Sequence, residues 1–293
     1  MNKNYGLSRL ERHIGGKRNR IGKNGRLIVR ATKKDDRTHL VPLYRRIPYQ
    51  WQGFHYQDVD DQPFLQLHHS AGGLTNGDTA AVYFSSEPET RSLVTTTEAT
   101  RYYKTTTEEP AHEVFEFDVD SGSVLEYLPD ETIPYADSKT KRETFFNLKA
   151  DSHLIATDIL SGGRLEYLQG EMFDFDTFQS KSVVSVEGKS IFVDNLLLDK
   201  SNSNRVLDSW LGFRVLSTVV AFSSHLEPGI VDDISASLEA IPNIKFGVSF
   251  DNFLLVVKVL THETWLAHEV VHDVWSTVRP NVLFKPSLSI TKG

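Results

Sequence analysis

The sequence predicts a mainly β fold: many short, largely antiparallel strands in a β-helical or sandwich-like layout, with two helices near the C-terminus. Three observations carry that expectation. Apolar and polar residues alternate with a period of two through the middle of the chain. Short turn signals such as Asp120-Ser121-Gly122, Ser161-Gly162-Gly163 and Glu187-Gly188 break this pattern at close intervals. Helical periodicity appears only in the last ninety or so residues.

Taken in order, the chain begins with a basic leader. Residues 1–37 carry 12 Lys and Arg against 3 Asp and Glu, whereas the remainder carries 20 against 36. Residues 1–40 are expected to form a solvated, flexible arm, and 41–290 a single β-rich domain whose βα portion spans about 205–285. An acidic body argues against nucleic acid as the main partner, because phosphate binding needs clustered cations. No apolar run approaches the length of a membrane span, and the start lacks the apolar core of a signal peptide. The 293 residues contain no cysteine, which excludes disulfides, thiolate metal sites and a cysteine nucleophile, and fits a cytoplasmic protein.

Between two apolar runs lies Leu67-His68-His69-Ser70-Ala71-Gly72-Gly73-Leu74-Thr75-Asn76-Gly77-Asp78. Gly72, Gly73 and Gly77 mark a turn of special shape, and Asp78 is a carboxylate fixed at its end. A phosphate loop is excluded there, because Asp78 stands where such a loop needs lysine. Further on, Phe115, Phe117 and Val119 alternate with Glu116, Asp118 and Asp120. Runs at 124–128, 146–150, 154–160, 173–178, 183–186 and 191–198 read as strands, and 214–222 is a β-branched run. Ile230, Ile234, Leu238 and Ile241 recur at helical spacing. A strand pair is expected at 243–250 and 253–260, turning at Asp251-Asn252. Ala267, Val270, Val271, Val274, Trp275 and Val278 form one helical stripe, with Thr261 as its expected N-cap and Pro280 as its stop. That helix carries His268-Glu269-Val270-Val271-His272, the spacing by which two histidines grip one zinc ion. Residues 273–293 offer no His or Glu as a third ligand, so packing histidines are the simpler reading.

Several segments resemble one family. His69–Asp78 resembles the H-P-P-G-G-h-h-x-G-D signature of the urease accessory protein UreD, called UreH in some systems, with Ser70-Ala71 replacing the proline pair. Val94–Lys104 is similar to its T-x-x-x-A-[ST]-K-x-Y-R segment, and Leu125–Ile133 to its L-E-W/Y-L-P-Q-x-x-I segment. Asp158-Ile159-Leu160, Gly163-Arg164 and Gly170-Glu171-Met172-Phe173 resemble its D-h-L-x-x-G-R and G-E-x-F run. Asp273-Val274-Trp275 with Arg279-Pro280 resembles its closing helix.

The resemblance implies a maturation chaperone rather than an enzyme, with no permanently bound cofactor. Such a protein binds UreF, which carries the GTPase UreG, and the assembly docks on apo-urease. Transient Ni²⁺ then passes through UreF and UreD. Carried onto this sequence, Asp78 and Asp158 line that route, with Thr100, Glu126 and Glu171 as secondary positions. The chemistry agrees, because oxygen ligands pass Ni²⁺ on where thiolates would retain it. Two alternatives stay open: a binding module that only reshapes apo-urease, and a zinc hydrolase built on His268, Glu269 and His272.

Overall fold

The short β runs pair with strands one coil away rather than with their neighbours in the chain. A computed structural model describes residues 3–14, 23–57, 62–167, 170–201, 203–286 and 290. These residues form α1 (Lys3–Ile14), β1 (Asn24–Lys34), β2 (Arg37–Arg46), β3 (Tyr49–Gln50), β4 (His55–Tyr56), β5 (Pro63–His69) and β6 (Thr79–Ser86). Then come β7 (Arg91–Thr96), β8 (Thr100–Tyr102), β9 (Ala111–Val119), β10 (Val124–Tyr127), β11 (Thr132–Pro134), β12 (Lys139–Leu148) and β13 (His153–Ser161). The rest are β14 (Thr177–Val186), β15 (Lys189–Asp199), α2 (Ser203–Ser209), β16 (Val215–Phe222), α3 (Ile230–Glu239), β17 (Lys245–Asp251), β18 (Leu254–Thr261) and α4 (Thr264–Leu283).

Two sheets result. One runs β15-β14-β12-β9-β6-β1-β2, the other β17-β18-β16-β13-β10-β7-β5-β3. From β5 to β14 the chain passes back and forth between them, so each turn of the coil adds a strand to each sheet. The inner strands β1, β6, β9, β12 and β14 are all parallel, as are β5, β7, β10 and β13. Antiparallel strands lie at the ends: β2, β15, β3, and β16 with β18 and β17. The mainly β, β-helical expectation holds, and the expected largely antiparallel pairing is corrected. A tight turn between two strands reads as a hairpin in a sequence. Here most turns hand the chain to the opposite sheet, and the strand there serves as the crossover that a parallel pair requires. The first-sheet strands β6, β9, β12 and β14 begin at residues 79, 111, 139 and 177. These unequal coils explain why no repeat period is readable.

Burial follows from this layering. Parallel inner strands are covered on both faces, so β6 and β13 are nearly continuously buried. Between the sheets lie Leu27, Phe84, Phe117, Phe146, Tyr127 and Leu154. On the outer face of the second sheet, Ile155, Val219 and Val257 pack against Ile234 and Leu238 of α3 and Val270, Val274 and Trp275 of α4. Both expected C-terminal helices are present. Thr261 ends β18, and α4 starts at Thr264 with Glu263 as its N-cap. The helix runs through Pro280 to Leu283, because Val282 and Leu283 continue the buried stripe; Phe284 then closes it in the left-handed conformation. The expected strand at 173–178 starts only at Thr177. Phe173 has φ +56° and, with Phe175, fills the core from a loop.

The leader is also corrected where it is described. Its expected boundary at residue 40 falls inside β2, and Leu27, Ile28 and Val29 of β1 are fully buried. Helix α1 lies on the outer face of the first sheet, with Leu10 against Ile28, Tyr83 and Val114. Arg9 pairs with Glu116 and Asp118, and His13 Nε2 lies 3.3 Å from Glu116. Basic residues of the leader therefore neutralise the acidic outer face of β9. Among the described residues, no helix is long and apolar enough to cross a membrane.

Candidate functional site

The Gly-rich turn joins β5 to β6 and is built from its backbone outward. Gly72 and Gly77 have φ of +68° and +72°, and a Cβ on Gly73 would lie 2.6 Å from the Arg101 carbonyl oxygen. Leu74 is clamped to β8: its N–H donates to Arg101 O (2.9 Å) and its carbonyl accepts from Tyr103 N (2.8 Å). Asp78 is buried. Its Oδ1 accepts from Lys23 N at 2.6 Å and its Oδ2 from Thr75 N at 3.1 Å. Both oxygens thus close the turn and fasten the chain just before β1. Asp78 is not among the residues lining the nearby cavity; His69 is, and burial, reinforced by Lys23, pushes it down to about 4 against the opposing pull of Asp78.

Two other anticipated carboxylates are equally engaged. Glu126 is fully buried and accepts from Trp275 Nε1 (2.9 Å), Gln62 Nε2 (3.0 Å) and Arg279 Nε (3.1 Å), which ties α4 to β10. Glu171 is gripped by Arg164 and accepts from Ala136 N at 3.2 Å. Hydrogen bonds from Arg164 hold its carboxyl below the usual range.

Asp158 and Thr100 do meet, in a cavity of about 50 Å³ between the sheets. In β13, Ile155 and Ile159 face α4, so strand alternation turns Asp158 toward the first sheet. There Arg142 of β12 grips both its oxygens, donates to Thr132 Oγ1 (2.6 Å) and reaches Ser180 Oγ (3.1 Å). Glu113 of β9 lines the same cavity. It accepts from Tyr102 OH at 2.6 Å, and burial pushes its carboxyl up to about 7 against the pull of Tyr102 and Arg142. A neighbouring cavity of about 30 Å³ shares Thr100, Glu113 and Phe115 and extends to His69, Gly72 and Gly73. The polar wall therefore runs from the Gly-rich turn to Asp158.

On its other side the cavity meets a break in the second sheet. Strand β10 ends at Tyr127, and β11 starts at Thr132. Pro129 between them has no N–H to continue a ladder, and Thr95 Oγ1 and Thr96 Oγ1 satisfy Leu128 O and Asp130 N instead. Pro129, Asp130 and Thr157 line both the inner cavity and a groove of about 550 Å³ beside α4. His268 stands at that groove with Nε2 2.8 Å from Glu131 Oε2. His272, one helical turn on, is 3.5 Å from Ser276 Oγ and does not share a ligand cluster with His268.

Glu113 and Arg142 were readable signals. Glu113 has the strand parity of Phe115 and Phe117, and Arg142 that of Phe146, so alternation turns both inward. The approach of His268 to Asp130 and Glu131 spans 137 residues and leaves no local signal.

A family model for the UreD urease accessory protein matches residues 23–290. The chain belongs to this family. A Brucella canis protein named urease accessory protein UreD 2 is 27% identical over 270 residues, covering 89% of each chain. A Bacillus sp. (strain TB-90) UreD is 26% identical, covering 92% of this chain and 98% of its own. A Photorhabdus laumondii UreD is 26% identical, covering 90% and 84%. UreD proteins are accessory proteins rather than enzymes, and the zinc-hydrolase alternative falls with that finding.

Proposed function

We propose that this chain is a cytoplasmic scaffold and nickel conduit for urease maturation. It takes Ni²⁺ from the UreG GTPase through UreF and passes it to apo-urease. The observation that supports this most is Glu113, a carboxyl pushed up to about 7 in a polar cavity between two apolar-cored sheets. At neutral pH such a group is part neutral and part ionised, so an arriving dication displaces its proton and a departing one lets it return. Asp158 offsets the fixed charge of Arg142, leaving Glu113 to set the local balance. Hydroxyls of Thr100, Thr144, Thr157 and Thr218 complete an oxygen lining that holds a borderline ion loosely. Cavities of about 30 and 50 Å³ hold only a few waters, so the ion travels partly dehydrated and the walls move with it. Asp78 keeps the turn at the far end in shape.

Glu113→Gln keeps an acceptor for Tyr102 and removes the titratable charge. Co-expressed with urease, UreF and UreG, it is expected to lower nickel per urease several-fold while co-purification with UreF persists. Full nickel loading by this variant would overturn the conduit. The second reading, a platform that reshapes apo-urease, would then stand; the full engagement of Asp78, Glu126 and Glu171 by the protein's own groups favours it.

A further inference from the structure

The groove beside α4 carries the one group of three close metal-ligating side chains among the described residues. Asp130, Glu131 and His268 each offer a ligand atom, and these atoms lie within 4.8 Å of one another. We infer that they form a docking site for a borderline divalent cation at the outer mouth of the interior cavity. The inference rests on the conduit reading for the identity of that ion as Ni²⁺.

The geometry fits a site that loads and releases. Ligand–ion bonds of about 2.0–2.2 Å put two ligands of one ion about 3–4.4 Å apart, so small side-chain shifts close the set. Two carboxylates and one imidazole suit Ni²⁺, Co²⁺ or Zn²⁺ better than the all-oxygen preference of Mg²⁺ or Ca²⁺. Three protein ligands leave positions open for water or an exchanging group. His268 comes from the first turns of α4, whereas Asp130 and Glu131 come from the loop where Pro129 breaks the second sheet. Asp130 faces both the groove and the inner cavity, so an ion held here already touches the wall it would pass. The same geometry reassigns the H-E-x-x-H string. His268 finds its companions across the groove, and His272 lies outside the set.

Equilibrium dialysis of the full-length chain against NiCl₂ at neutral pH tests the site. Wild type is expected to hold an ion whose affinity falls about tenfold or more in His268→Ala. Glu131→Gln, which preserves shape, is expected to weaken it in the same direction, and His272→Ala to leave it unchanged. Absence of bound Ni²⁺ in wild type, equal binding by His268→Ala and wild type, or a matching loss in His272→Ala would each overturn the assignment. The two proposals fail separately. Loss of nickel in urease with Glu113→Gln but no dialysis site removes only the docking site. A dialysis site lost in His268→Ala, beside full urease loading with Glu113→Gln, removes only the conduit.

Discussion

Glu126 and Glu113 are both buried glutamates, the first fully and the second to within 4% exposure, yet their surroundings differ sharply. Glu126 beneath α4 is saturated by Arg279, Trp275 and Gln62, and no cavity touches it among those described. Glu113 between the sheets accepts one phenolic hydrogen bond and borders two cavities. Burial alone therefore does not distinguish a saturated carboxylate from an open one. What distinguishes them is whether the protein has already spent every lone pair.

Breaking the saturated side should cost most. Arg279→Met strips Glu126 of its countercharge and leaves a buried carboxylate, with an expected loss of about 3–5 kcal/mol in urea unfolding. Adding Glu126→Gln to that variant should recover much of the loss, and failure to recover it would show that packing, not charge, holds α4.

The open side should show itself through pH. The Glu113 carboxyl sits near 7 in the folded chain and about 4.3 when unfolded, so the native state binds the extra proton. Its contribution is full below about pH 4 and disappears as pH rises through 7. Glu113→Gln should thus flatten the fall in stability between acid and mildly alkaline pH by up to about 4 kcal/mol, read as Tm across a pH series.

Asp78 belongs with Glu126 rather than Glu113. Asp78→Ala orphans the amides of Lys23 and Thr75 and is expected to cost about 1–3 kcal/mol in the same unfolding measurement. An unchanged unfolding midpoint would show that the two amides find other partners and would move Asp78 out of this class.

Much of this contrast was legible in the residues. Period-two alternation in β9 and β12 encodes which side chains enter the inter-sheet layer, and glycines 72, 73 and 77 encode the turn that Asp78 closes. The α4 stripe encodes Trp275 as core, though not its hydrogen bond to Glu126. What escaped depends on pairing across long stretches of chain. Parallel register, the lid of α1 over Glu116 and Asp118, and the approach of His268 to Glu131 are set by which coil lies beside which. Coils of unequal length hide that order from any local pattern.

The end strands carry one more consequence. A stack of parallel coils offers its last ladder to any further strand, which is how such folds grow into filaments. In this chain β2 and β15 at one sheet's borders, and β3 and β17 at the other's, come from antiparallel pairings. A second copy arriving end-on meets a border strand running against the direction of its own coils, with hydrogen-bond spacing suited to a reversed partner. The parallel repeat thereby ends within the chain, and an end-on copy in the same orientation cannot extend it.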